Sequence, residues 1–157
     1  MKQPYILPIR AGQKPVTGDM PPHLQFSDQS PKALWKELCD WAFSVFPLSR
    51  EEATMISIPT SRALWLDESI KTLPHDAFMP PRGSREFAHV HKDGSMHLCV
   101  SQDFADEVYA KKWGEPHPYK HLGVNEILVF APRNTEELEV VKSTLKAAYY
   151  YATGDAL

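Results

Sequence analysis

Apolar positions along this chain follow helical and strand rhythms that alternate unevenly. Leu34, Trp35, Leu38, Trp41, Ala42, Val45 and Phe46 recur every three to four residues, which predicts a helix with one broad apolar face. Ser30 and Pro31 supply its cap and first turn, and Pro47 ends it. Short apolar runs at 55–58 and 62–66, separated by Pro59-Thr60-Ser61, predict two strands joined by a turn. A helical turn is expected over 67–73. Residues 74–84 carry three prolines and a glycine and read as a loop that could rim a pocket.

The clearest local signal is Asp93-Gly94 between strand-like runs at 85–91 and 96–100, a favoured hairpin turn. Ser101 or Asp103 can cap a helix running to about residue 112, closed by Trp113-Gly114. Residues 126–131 form a strongly apolar strand. Asn134 to Glu137 offers a capping box for a last helix whose stripe is Leu138, Val141, Leu145, Ala148, Tyr149 and Ala152, ended by Gly154. Helices, a hairpin and no repeat together predict an α+β class, with a mainly antiparallel sheet covered by helices.

Residues 1–29 lack such periodicity and contain Pro4, Pro8, Pro15, Pro21 and Pro22. They predict an extended, proline-rich arm, anchored by Tyr5, Ile6, Leu7, Leu24 and Phe26, ahead of a single domain over 30–157. At 157 residues one core is sufficient, since a chain of this size buries roughly two thirds of its unfolded surface. Composition narrows the function classes. With 43% apolar residues and a net charge of −3, the chain is neither disordered nor built to hold a phosphate backbone, so nucleic acid is not an expected partner. Cys39 and Cys99 form no disulfide framework or cysteine zinc knuckle. No stretch approaches a membrane span and no signal peptide is evident, which makes a cytoplasmic protein without membrane attachment the expectation.

Candidate chemistry lies in the histidines. Five of the seven, His89, His91, His97, His117 and His121, fall within 33 residues. Strand alternation places His89 and His91 on one face with Phe87, and Glu86, Ala88 and Val90 on the other. A two-residue hairpin loop would put His97 opposite them, whereas a three-residue loop would pair it with His89. Such a cluster suits a metal-free acid/base site or, alternatively, a divalent metal held by His89, His91, His97 and His117. Glu115 and His117 sit on a proline-stiffened segment able to aim them at a ligand. Arg62 could hold an anionic group, and Trp65 and Trp113 could line an aromatic pocket.

The ordered blocks Arg62-Ala63-Leu64-Trp65-Leu66, Glu86-Phe87-Ala88-His89-Val90-His91, Asp93-Gly94-Ser95-Met96-His97-Leu98 and Trp113-Gly114-Glu115-Pro116-His117-Pro118, with Ala131-Pro132-Arg133 and a tyrosine-rich last helix, resemble the luciferase-domain family typified by fungal luciferase. The resemblance runs from about residue 22 to 152. It implies a compact α+β domain and oxidation of a small electron-rich, hydroxypyrone-like or polyketide-like substrate by O2, with no other cofactor. The membrane segment of fungal luciferase is not expected to carry over, nor is light emission. One of His89 and His91 would then act as general base, and the other or His97 would bond the developing enolate or peroxide. His117 and Glu115 would orient the substrate, with Arg62, Trp65, Glu86, Phe87 and Trp113 in contact with it.

Overall fold

The pattern that predicts an α+β chain resolves, in a computed structural model describing residues 3–71 and 74–157, into one antiparallel sheet with helices packed on one side. The strands are β1 (Ser49–Glu52), β2 (Arg62–Leu66), β3 (Glu86–Val90), β4 (Met96–Cys99), β5 (Gly114–Pro116) and β6 (Glu126–Val129), in the order β1-β2-β3-β4-β6-β5. The three α-helices among the described residues are α1 (Lys32–Val45), α2 (Gln102–Ala110) and α3 (Thr135–Thr153). The single α+β domain expected from the sequence is therefore what the chain forms.

Leu64, Leu66, Ala88, Val90, Met96, Leu98, Ile127 and Val129 face the helices and meet Leu38 and Ala42 of α1 and Leu138, Val141 and Leu145 of α3. Burial of each such large side chain stabilises the fold by about 1.5–3 kcal/mol. Ser101 caps α2 by accepting the N–H of Phe104, and Asn134 caps α3 by accepting that of Glu137. Glu137 does not close a capping box. It takes both the backbone N–H and the guanidinium of Arg133 instead.

Several local expectations are corrected. The strand partner of β2 is the charged segment Ser49–Glu52, an edge strand whose Arg50, Glu51 and Glu52 hide it from any apolar pattern. Residues 55–58 form a loop rather than a strand, with Met55 largely exposed. Ser30 does not cap α1, because its Oγ donates to the Pro132 carbonyl. Within the proline-stiffened segment, residues 114–116 form a short edge strand on β6. Over 67–73 a turn closes from Asp67 to Ile70, and residues 72–73 lie outside the described residues.

The N-terminal arm lies against the domain through directional contacts. Leu7 is buried, whereas Ile6 and Phe26 face solvent and do not anchor it. The Trp113 indole donates to the Pro8 carbonyl (2.6 Å), and Arg10 N–H bonds the Lys111 carbonyl. A bridge between Thr17 and Gln25 folds the arm back on itself, and buried Gln25 accepts the Ala131 N–H through its side chain (2.9 Å). The tip of this hook, with Pro21, Pro22 and His23, covers the sheet face opposite the helices.

Candidate active site

Two backbone features of the central hairpin bring the histidines together. Gly94 has a φ of 96°, and with Lys92 and Asp93 it makes a three-residue loop. Of the two registers open in the sequence, this one pairs His89 with His97, so both rings share a face. The second feature is a bulge. Leu64 pairs with Ala88 but Trp65 pairs with Glu86, leaving Phe87 as the extra residue. Simple alternation is broken there: Glu86 joins the histidine face, while Phe87 turns to the helices, its ring 6.0 Å from Phe46 and 6.2 Å from Tyr149. The expected faces of these two residues are thus reversed.

A cavity of about 460 Å³ opens on this face, lined by His23, His89, His91, His97, His117 and Glu126 beneath the arm tip and the 56–59 loop. The size suits a small organic ligand. Larger clefts occur at the α2–α3 ends and against the 74–84 loop, but neither gathers a comparable set of titratable groups. The 74–84 loop therefore rims a different hollow.

The polar groups form two chains. In the first, Glu86 Oε1 meets His89 Nδ1 (2.8 Å), His89 Nε2 meets His97 Nδ1 (3.1 Å), His97 Nε2 meets His23 Nδ1 (3.1 Å), and His23 Nε2 meets Glu115 Oε1 (2.8 Å). In the second, His91 Nδ1 meets Ser95 Oγ (2.8 Å), which donates to Asp93 Oδ1 (2.5 Å). Because the serine proton is committed to the carboxylate, His91 must donate from Nδ1, and the lone pair on Nε2 is left free. His91 and His97 are held well below the ordinary imidazole range, first by burial and then by neighbouring histidines, so both stay neutral.

His117 accepts the Tyr119 N–H at Nδ1 (3.0 Å), which leaves its proton on Nε2, 3.7 Å from Glu126 Oε1. Burial pushes its pKa down to about 4. Glu126 is raised to about 8 by burial and by Glu86, and its Oε2 is buried without a partner. Burial alone would raise Glu115, but hydrogen bonds from His23, Lys14 and Thr17 outweigh it and hold that carboxylate at about 2.

The structure gathers His89, His91, His97, His117, Glu86 and Glu115 around one site. It places four other candidates elsewhere. Arg62 forks onto Glu51 (both contacts 2.7 Å) and lies over the Phe43 ring, on the helix side. Phe87 and Trp113 belong to the apolar core, and Trp113 fixes the arm rather than the cavity. Trp65 is half-buried next to Glu86 and does not line the hollow. His121 is exposed.

Sequence reasoning missed His23 and Glu126. His23 is a single imidazole in a proline-rich arm, with nothing local to link it to residues 74 positions away. Glu126 did carry a signal, a carboxylate heading a wholly apolar strand, since glutamate is rarely buried without a purpose.

Such a site is a partly open histidine-carboxylate cavity on the sheet face opposite the helices of a small α+β domain. Its kinship is specific. Residues 84–148 match the luciferase-domain family, bearing out the resemblance carried by the sequence blocks. The chain is 30% identical to the luciferase of Armillaria mellea over 173 residues, covering 95% of this chain and 62% of that protein. It is 36% identical to the luciferase of Armillaria ostoyae over 97 residues, covering 57% of this chain and 36% of that protein. For the luciferase of Neonothopanus nambi the identity is 37% over 81 residues, 47% of this chain and 30% of that protein. The chain thus spans less than two thirds of the length of these relatives. No solved structure matches it significantly. Among the described residues no helix is long and apolar enough to cross a membrane.

Proposed function

We propose that this domain is an oxidative enzyme in which O2 reacts with a small electron-rich molecule, hydroxypyrone-like or polyketide-like, bound in the histidine cavity. The observation that carries this reading is the convergence of five imidazoles on one hollow in a chain related to fungal luciferases. An enol is a poor electron donor and its enolate a good one, so removing the enol proton is the step a protein can accelerate. The histidine cluster supplies the base, and His91, its tautomer fixed by Ser95 and Asp93, presents a free nitrogen for it. His117 Nε2–H supplies a donor for the oxyanion as it forms. The apolar roof of Pro21, Pro22, Leu24, Ile58 and Pro59 keeps water from the carbanion. Free, buried Cys39 and Cys99 support a reducing, cytoplasmic setting.

The test is oxygen uptake by the full chain with a series of 4-hydroxypyrones and related enols. Saturable uptake that falls at least about 100-fold in His91→Gln is expected of a lost general base. Tight binding of these compounds without oxygen uptake would leave a binding domain and discard the enzyme.

A further inference from the structure

The hydrogen bonds around the cavity fix where nearly every imidazole proton sits, and the count comes out one short. Glu115, held at about 2, accepts from His23 Nε2, which leaves a lone pair on His23 Nδ1. At the other end Glu86 already receives the Thr54 hydroxyl (3.1 Å) and takes the Nδ1 proton of His89, leaving a lone pair on His89 Nε2. The His97 ring lies between these two lone pairs, 3.1 Å from each, and its single proton can fill only one of the two contacts. Four contacts in the row need four protons, and three neutral rings bring three.

A third lone pair belongs to His91 Nε2, as set by Ser95 and Asp93. One ring nitrogen from each of His89, His91 and His97 lies within 4.8 Å of the other two. We propose that this gap is filled by a cation: His89, His91 and His97 bind one divalent transition-metal ion, and Glu86, the Ser95–Asp93 pair and His23–Glu115 orient the three rings.

The chemistry of the donor set argues for such an ion. Neutral imidazoles suit zinc, iron, copper or nickel rather than magnesium or calcium. Ring N–H groups directed at carboxylates or hydroxyls are the usual outer support of metal-bound histidines; His89 and His91 have it, and His97 reaches the carboxylate of Glu115 through the His23 ring. Metal–nitrogen bonds of about 2.0–2.1 Å at a tetrahedral angle set neighbouring nitrogens roughly 3.3 Å apart, close to the observed 3.1 Å. The buried carboxyl of Glu126, with Oε1 3.9 Å from His97 Nδ1 and Oε2 without a partner, leaves an unsatisfied oxygen on the cavity side. The second triad, His23, His97 and His117, is less suited, because His117 Nδ1 accepts the Tyr119 N–H and its Nε2 therefore carries a proton.

The inference rests on the cavity being the reaction site, and it changes the part of His91 there from base to ligand. The test uses tag-free full-length protein, assayed for metal as purified and after chelator dialysis, then titrated with Zn2+ and with Co2+ followed by visible absorption. Expected are about one equivalent per chain and saturable Co2+ bands. His89→Gln should abolish them, Glu86→Gln and Ser95→Ala should weaken binding roughly 10–100-fold, and exposed His121→Gln should change nothing. Circular dichroism of each variant separates lost ligands from lost fold. Metal well below one equivalent with no Co2+ bands, or binding indifferent to His89→Gln in a folded variant, overturns the proposal. Oxygen uptake measured on the stripped protein keeps the two readings apart, since uptake without metal retains the enzyme and discards the ion.

Discussion

The two faces of the central sheet are built from alternate residues of the same strands, yet they are held by different physics. Toward the helices, Val90, Met96 and Val129 pack with Leu38, Leu138 and Leu145, and any apolar group of the right volume would contribute. Toward the arm, His89, His97 and Glu126 are as deeply buried, but each polar atom needs a partner in a fixed direction. The first face gives stability with tolerance. The second gives little stability for its burial, and its geometry fixes what the rings can do.

Substitutions on the two faces should therefore separate stability from activity. The largest effect is expected from His91→Gln, which should cut turnover of a cavity substrate by about 10²–10⁴-fold while shifting the melting temperature little, read by oxygen uptake and calorimetry. Phe87→Ala should do the reverse. Its ring fills the space between Phe46 and Tyr149, so about 3–5 kcal/mol of stability should be lost in denaturant titration, with turnover per folded molecule retained. If Phe87→Ala instead removes turnover at low temperature, where it is still folded, the faces are not independent.

Gly94→Ala tests the turn that joins them. Its positive φ and the closeness of Ser30 Oγ and Cβ leave no room for a side chain, so about 1–3 kcal/mol should be lost, with the His89–His97 pairing weakened in hydrogen exchange. The smallest effect is a pH dependence away from both faces. Burial would raise the carboxyl of Glu137, but its bonds to Arg133 outweigh that and hold it below 4.5. A depressed folded-state value means the stabilisation is present above the unfolded-state value and fades as pH falls through the folded one. Glu137→Gln should flatten the loss of thermal stability below about pH 4.5.

Short-range signals served unequally along the chain. α1, α2 and α3 follow from three-to-four spacing, and Asp93-Gly94 from turn chemistry, because these depend on neighbours within a few residues. β1 and β5 escaped because edge strands carry charge, proline and glycine and need no apolar rhythm. Loop 55–58 imitated a strand because its Ile56 and Ile58 roof a cavity instead of pairing. Among the candidate site residues, the histidines were legible from clustering and Glu115 from its stiff segment. Arg62, Phe87 and Trp113 were not distinguishable from core and ion-pair residues by type alone.

The sequence by itself determined the class of fold, the hairpin, and the likeness to luciferase domains, since these rest on local periodicity and on ordered blocks of residues. Only the tertiary structure decided the three-residue register that pairs His89 with His97, the bulge that exchanged Glu86 for Phe87, and the arm that delivers His23 to Glu115. The reason is physical: one added backbone residue moves a side chain across a sheet at almost no local cost, and an arm finds its place by bonds to groups distant in the chain.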